Sequence, residues 1–332
     1  MDFDTLIGQW GDAPRLPAKY REAMEDFYTS YLRARKSRNL PPETMFPLFR
    51  QFIELVEEQC VRPYPFEPYH EHVREPIDYY TFGVEMIRGI LDESTSAAFG
   101  LEYADKIAEQ LQRGENVICL ANHQTEGDPQ VVSILLEKTH EPLGREMIWV
   151  AGDRVLIDPM AIPFSMGRNL LCVYSKKYLE IPPERKAEKQ AHNQRAMLKL
   201  LELLTEGGKL VYVAPSGGRD RPNEAGEVVC APFDPQAIEI FRLLGQKSGR
   251  ATHFYPLALD TYKLLPPPKA HGEEKLERRY TESGTVHLAF GEEIDLDTFP
   301  GSDLPDKGER RKARADYCWN LVNQLYQAFP KS

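Results

Sequence analysis

Three short blocks of this sequence place chemically capable residues directly behind apolar runs. The first is Asn122-His123-Gln124-Thr125-Glu126-Gly127-Asp128-Pro129, which follows the run Asn116–Ala121. His123 precedes Asp128 by five positions, and five steps of roughly 100° leave the two about 140° apart on a continuous helix. A loop therefore has to bring the carboxylate back to the ring. Asp128-Pro129 can end that loop, because Asp suits a helix N-cap and Pro the first helical position, with helix continuing to Lys138. A carboxylate bonded to one ring nitrogen fixes the tautomer and raises the basicity of the other nitrogen, as a general base for a hydroxyl requires. The competing reading is an N-cap aspartate beside an unrelated histidine at a strand end.

The second block is Ala214-Pro215-Ser216-Gly217-Gly218-Arg219-Asp220-Arg221-Pro222. Paired glycines let backbone approach a ligand, and Arg219 and Arg221 can form a fork for a phosphate. The alternatives are a solvated turn in which Asp220 pairs with one arginine, and a near-match to the G-x-S-x-G elbow with Ser216 as nucleophile. An elbow needs a helix directly after the serine, and Arg219–Glu227 is too polar and too rich in Pro and Gly to supply one. The third block, Val173-Tyr174-Ser175-Lys176-Lys177-Tyr178, offers Lys177 as a point charge that can reach a phosphate and Tyr178 as a hydroxyl donor. Paired lysines are also common on plain surface. The histidines outside the first block lack metal-ligand spacing; His70-x-His72 has no third partner, and no metal is expected. The charge runs Glu273–Arg279 and Glu309–Arg314 read as solvated helix faces.

The elements that must position these blocks follow from periodicity. Leu16–Arg35 carries a helical stripe at Tyr20, Met24, Phe27 and Tyr31, and Glu43–Cys60 another at Met45, Leu48, Phe49, Phe52, Leu55 and Val56. A connector with three prolines, Arg62–Glu75, follows. From there strands at 116–122, 147–152, 170–175, 209–214, 253–259 and 285–290 alternate with helices at 103–113, 129–138, 184–204, 235–244 and 309–329. The pattern predicts an α/β fold with a mostly parallel or mixed central sheet flanked by helices, and a small helical N-terminal domain. The expected division is residues 1–78 and residues 79–332. In such sheets ligands sit at the carboxyl ends of the strands, where all three blocks fall.

Composition bounds the function. The 332 residues hold 41 Lys and Arg against 51 Asp and Glu, a net charge of -10, which argues against a nucleic-acid or general polyanion binder. No run approaches the roughly 18–20 apolar residues that span a bilayer, so at most peripheral membrane contact is expected. The five cysteines show no C-x-x-C pair, fitting a reducing compartment. Met1–Asp4 begins neither a signal peptide nor a transit segment.

With these residues in view, the block Asn122–Pro129 resembles the H-x4-D motif of glycerolipid acyltransferases. Val150–Asp153, Asp158-Pro159, Phe164–Asn169, Cys172–Lys177, Ala214–Pro222 and Tyr255–Leu259 resemble, in order, the later blocks of the soluble, plastid-type glycerol-3-phosphate acyltransferases. The resemblance covers about residues 75–330, and the N-terminal helices match that family's small helical domain. Membrane-bound relatives usually carry Pro-Glu-Gly-Thr where Pro215–Gly218 stands here. The resemblance implies transfer of an acyl group from a thioester of acyl carrier protein, with CoA as the other donor, to the sn-1 hydroxyl of glycerol 3-phosphate, without a cofactor. It implies His123 as general base, Asp128 as its orienter, and Lys177, Arg219 and Arg221 as holders of the phosphate. Tyr178 stands where the family commonly has His and would serve only as a neutral donor. Backbone amides near Gly127 or Gly217 are the expected oxyanion donors. The competing functions are a 1-acylglycerol-3-phosphate acyltransferase, a Ser216 hydrolase, and a non-catalytic module binding acyl carrier protein or lipid. The plastid stroma is the implied location, with the transit peptide absent from this chain; a bacterial cytoplasm is the alternative.

Overall fold

The computed structural model describes residues 3–8, 16–176, 179–268 and 278–330. Ten strands form: β1 Tyr69–His70, β2 Ala97–Phe99, β3 Asn116–Ala121, β4 Ile148–Gly152, β5 Asn169–Val173, β6 Leu210–Val213, β7 Arg221–Pro222, β8 Val228–Val229, β9 Thr252–Asp260 and β10 His287–Phe290. Eight of them make one mixed sheet in the order β1-β5-β4-β6-β3-β9-β10-β2, while β7 and β8 pair separately. Its centre, β5-β4-β6-β3-β9, is parallel throughout. The expected α/β class with a mostly parallel sheet is what forms, with β10 turned antiparallel to β9 and β1 antiparallel to β5.

Alternation along the strands divides the interior into two layers. Ile118 and Leu120 pack with Leu200, Leu204, Ile238 and Val322 from the helices Lys186–Glu206, Pro235–Lys247 and Lys307–Gln327. Val117, Cys119 and Ala121 face the other way, toward Ile107 of the helix Leu101–Gln112 and Val132 and Leu136 of the helix Asp128–Leu136. Strands covered on both faces read as unbroken apolar runs, which is why they are visible in the sequence.

A third cluster joins the N-terminal helices Ala18–Ser37 and Phe46–Val61 to the body. Phe27, Tyr31, Phe49 and Phe52 pack with Phe82, Met86 and Ile87 of the helix Tyr79–Arg88, and with Val131 and Ile134 behind the first block. Tyr79–Arg88 escaped the sequence reading because Gly83 interrupts it; a Cβ there would lie 3.2 Å from Nε2 of Gln130. The two-residue strand β1, inside the proline-rich connector, also escaped, since only its distant partners Leu170 and Leu171 define it. Among the described residues no helix is long and apolar enough to cross a membrane.

Candidate active site

Because β3, β6 and β9 run parallel and adjacent, the loops that follow them emerge side by side. The polar residues of the first block tie these loops together. Asn122 donates to the Leu259 carbonyl at 2.9 Å and accepts from the Leu259 N–H at 2.8 Å. The Gln124 side-chain oxygen accepts from the backbone N–H groups of Thr261 and Tyr262. The Asp220 N–H donates to the His123 carbonyl at 2.7 Å, so the second block is hydrogen-bonded to the first. The Asp220 carboxylate is buried and accepts from Asn122, Gln124 and the Ala231 N–H; burial pushes its pKa up. Far from pairing with an arginine in a solvated turn, Asp220 is an interior peg.

His123 and Asp128 meet, the first of the two arrangements that the sequence left open. His123 Nδ1 lies 2.8 Å from Asp128 Oδ2. Asp128 is fully buried and takes four further hydrogen bonds, from the Gln124 and Thr125 N–H groups and the hydroxyls of Thr125 and Thr261. The N-cap position belongs to Gly127, so the carboxylate turns backward onto its own loop instead of capping the helix. Burial disfavours its charge, but the bonds from His123, Thr261 and Gln124 prevail and hold its pKa below the ordinary carboxylate value. An ionised carboxylate only accepts, so Nδ1 is the donor to Asp128, and in the neutral ring that tautomer leaves the lone pair on Nε2. The His123 side chain remains 31% exposed, within reach of a ligand.

Arg219 stands beside this pair. Its side chain faces Glu126, with Nη1 3.9 Å from Oε1. Glu126 is also gripped through both oxygens by Arg279, at 2.7 and 3.2 Å, and Arg279 reaches Asp158 at 2.7 Å. Burial works against the Glu126 charge, and the adjacent Arg279 and Arg219 override it, holding its pKa well below the usual range. Arg221, in β7, donates to the Pro268 carbonyl at 2.9 Å.

The Acyltransferase family model matches residues 104–260, from the helix before β3 to the end of β9. Over 98% of its length the chain is 36% identical to the chloroplastic glycerol-3-phosphate acyltransferase of Arabidopsis thaliana, covering 72% of that protein. The chain belongs to this acyltransferase family. A chloroplastic glycerol-3-phosphate acyltransferase of Cucurbita moschata is 38% identical over 97% of this chain and 72% of its own. That of Spinacia oleracea is 37% identical over 94% of this chain and 66% of its own. The 1-acyl-sn-glycerophosphate acyltransferase PlsC of Thermotoga maritima aligns over 76% of this chain and 79% of its own, with a TM-score of 0.41 and 18% identity.

Several sequence expectations meet a different arrangement in this family member. Lys177 and Tyr178 lie outside the described residues; the neighbouring Lys176 bonds to Asp234 and Gln236. The amides expected to receive an oxyanion already serve their own turns, Gly127 donating to the Thr125 hydroxyl and Gly217 to the Ala214 carbonyl. Ser216 donates to the Gly218 carbonyl, and the chain runs on to β7 with no helix behind the serine, so no elbow forms. Residues 273–277 of the first charge run lie outside the described residues, and the rest of the two runs is not wholly solvated: Arg314 is buried against Glu239 and the Leu296 carbonyl, and Arg279 lies outside any helix with its side chain only 8% exposed. Glu126, Thr261 and Arg279 drew no role from the sequence. Thr261 had one signal, its place directly after a strand parallel to β3; Arg279 had none, because its partners are 153 and 121 positions away.

The depressed carboxylates carry a consequence for acid stability. Groups whose folded pKa lies below the unfolded value stabilise the fold above the unfolded value and cease to as pH falls through the folded one. For Glu126 and Asp128 the ordinary values are 4.5 and 3.8. Stability should therefore be level above about pH 5 and decline below it, with Asp220, shifted the other way, offsetting part of the change. Thermal melts between pH 7 and 3 should show a shallower decline in Glu126→Gln than in the parent; parallel curves would contradict the assignment.

Proposed function

We propose that this chain is a glycerol-3-phosphate 1-O-acyltransferase. It moves a fatty acyl group from a thioester of acyl carrier protein, or of CoA, to the sn-1 hydroxyl of glycerol 3-phosphate and yields lysophosphatidate. The observation that carries this reading is the His123–Asp128 pair, oriented at the carboxyl end of β3 and hydrogen-bonded through its backbone to the loop that bears Arg219. Membership in a family whose relatives carry that activity in their names supports the choice of acceptor.

The steps follow from the residues. Arg219 and Arg221, with Lys177, hold the phosphate, so that the acceptor hydroxyl faces His123 Nε2 with the advantage of an oriented encounter. Nε2 takes the hydroxyl proton as the oxygen attacks the thioester carbonyl carbon. The tetrahedral adduct collapses with cleavage of the C–S bond, and the departing sulfur receives the proton from His123. No acyl-enzyme forms. Residues 1–78 serve as a mainly helical unit that also lends β1 to the sheet of the catalytic unit, residues 79–332, and the protein works in the plastid stroma, in keeping with relatives described as chloroplastic.

The test is release of free thiol from acyl carrier protein with and without glycerol 3-phosphate. Acceptor-dependent release, unaltered in Ser216→Ala, is expected. Release without acceptor and labelling of Ser216 by a fluorophosphonate would mean hydrolysis instead, and preference for 1-acylglycerol 3-phosphate would move the enzyme one acylation later. Arg219→Ala and Arg221→Ala should each raise the KM for glycerol 3-phosphate about tenfold or more with a smaller change in kcat, as expected for lost charge-assisted bonds to phosphate; steady-state kinetics with varied acceptor measures this.

A further inference from the structure

The segment Arg278–Thr281 lies outside the helices and strands, and its contacts go to two neighbours. On one side it runs along the N-terminal helix Ala18–Ser37. Arg278 pairs with Glu22 at 3.0 Å and Asp26 at 2.9 Å, the Tyr280 hydroxyl donates to Asp26 at 3.0 Å, and the Thr281 N–H donates to the Ser30 hydroxyl at 3.1 Å. Glu22, Asp26 and Ser30 recur every four residues and so share one helix face. The intervening Arg279 points the other way, into the interior, where it grips Glu126 and Asp158. Glu126 belongs to the His123 loop, and its Oε1 faces Arg219.

We infer that Arg279 is a positioning residue for the phosphate site and that the N-terminal helix holds it in place. The inference rests on the proposed role of Arg219 in binding the substrate phosphate. Its physical basis is competition for charge. A buried carboxylate needs a cation, and a phosphate can recruit Arg219 only if Glu126 does not depend on it. Arg279, bound to Glu126 through two hydrogen bonds, meets that need, so the Glu126 charge does not rest on the longer Arg219 contact alone. Asp158 pairs with the same guanidinium at Nη2, and the contacts to Glu22, Asp26 and Ser30 set the register of the segment that delivers it. The helical domain thus acts on the site through one side chain, without touching substrate.

The test uses the full chain, with glycerol 3-phosphate varied at saturating acyl donor. Arg279→Gln should raise the acceptor KM about tenfold with kcat changed less than about threefold, and Arg279→Lys, which retains the charge, should recover most of the loss. The double variant Glu22→Gln/Asp26→Asn on the helix should raise KM about threefold at unchanged kcat. An unchanged KM in a folded Arg279→Gln protein overturns the inference, as does a loss of kcat that lysine does not rescue. Should Arg279→Gln fail to fold, an unchanged KM in the helix variant overturns it equally. Arg219→Ala separates the two levels. If it leaves KM unaltered, the phosphate assignment itself fails; if it raises KM while Arg279→Gln does not, only the role of Arg279 fails.

Discussion

Replacing His123 with alanine is expected to lower turnover at least about a thousandfold, toward the upper end of what a single general base contributes, while leaving the fold intact. The fold should survive because the ring supplies only one of five hydrogen bonds to Asp128. The Gln124 and Thr125 amides and the Thr125 and Thr261 hydroxyls remain to satisfy the buried carboxylate. The ring is also partly exposed, so its removal opens little interior space. Acceptor binding should change little, since Arg219 and Arg221, the proposed phosphate holders, are untouched. The signature is therefore a large fall in kcat at nearly constant KM, with a parental circular-dichroism spectrum. Thiol release at a near-normal rate would remove His123 from the mechanism.

Asp128→Asn should affect both chemistry and stability. The carboxylate receives donors at both oxygens: His123 and the Gln124 amide at Oδ2, and Thr125 and Thr261 at Oδ1. An asparagine in either orientation turns an NH2 group toward some of these donors. Placed against His123, that NH2 donates to Nδ1 and forces the ring proton onto Nε2, the nitrogen that has to be empty to act as base. Placed against Thr125 and Thr261, it leaves buried donors opposed. A fall in kcat of about a thousandfold is expected, together with a loss of about 2–4 kcal/mol of stability from unsatisfied interior groups. Activity assays and chemical denaturation measure the two effects independently. A variant within tenfold of parental kcat would show that Asp128 does not orient the base.

The two variants probe different levels of the same site. Truncating His123 removes the reacting group, whereas Asp128→Asn keeps every heavy-atom position and reverses the direction of hydrogen bonds. If both fall in rate and only the second loses stability, the division between acting and orienting residues follows from the measurements themselves.

Much of this was readable from short-range pattern. The central strands are largely buried on both faces and hence mostly apolar, so β3, β4, β5, β6 and β9 stand out as runs. The stripes of the N-terminal helices follow from 3.6-residue periodicity, and their aromatic side chains do pack together, Tyr31 and Phe49 with centroids 4.8 Å apart. The spacing of His123 and Asp128 and the proline after Asp128 allowed their meeting across a loop, although the N-cap position expected for Asp128 belongs to Gly127. In each case the determining interactions lie within a few residues or within one repeating face.

What stayed hidden depends on partners remote in sequence. β1 is two residues long and exists only through β5. Glu126 looks like one more surface acid until Arg279 and Arg219 close on it, and Arg279 sits at the end of a charge run that reads as solvated. The glycine amides expected to stabilise an oxyanion are consumed by turn bonds, which composition cannot reveal. The sequence alone determined the layer architecture, the location of the chemistry at strand ends and the candidate base with its orienter, because local periodicity and loop length govern these. Only the tertiary structure decided how the buried charges are shared and how the N-terminal helix comes to bear on the site. An ion pair between residues more than a hundred positions apart leaves no periodic trace; folding alone brings its partners within a few ångströms.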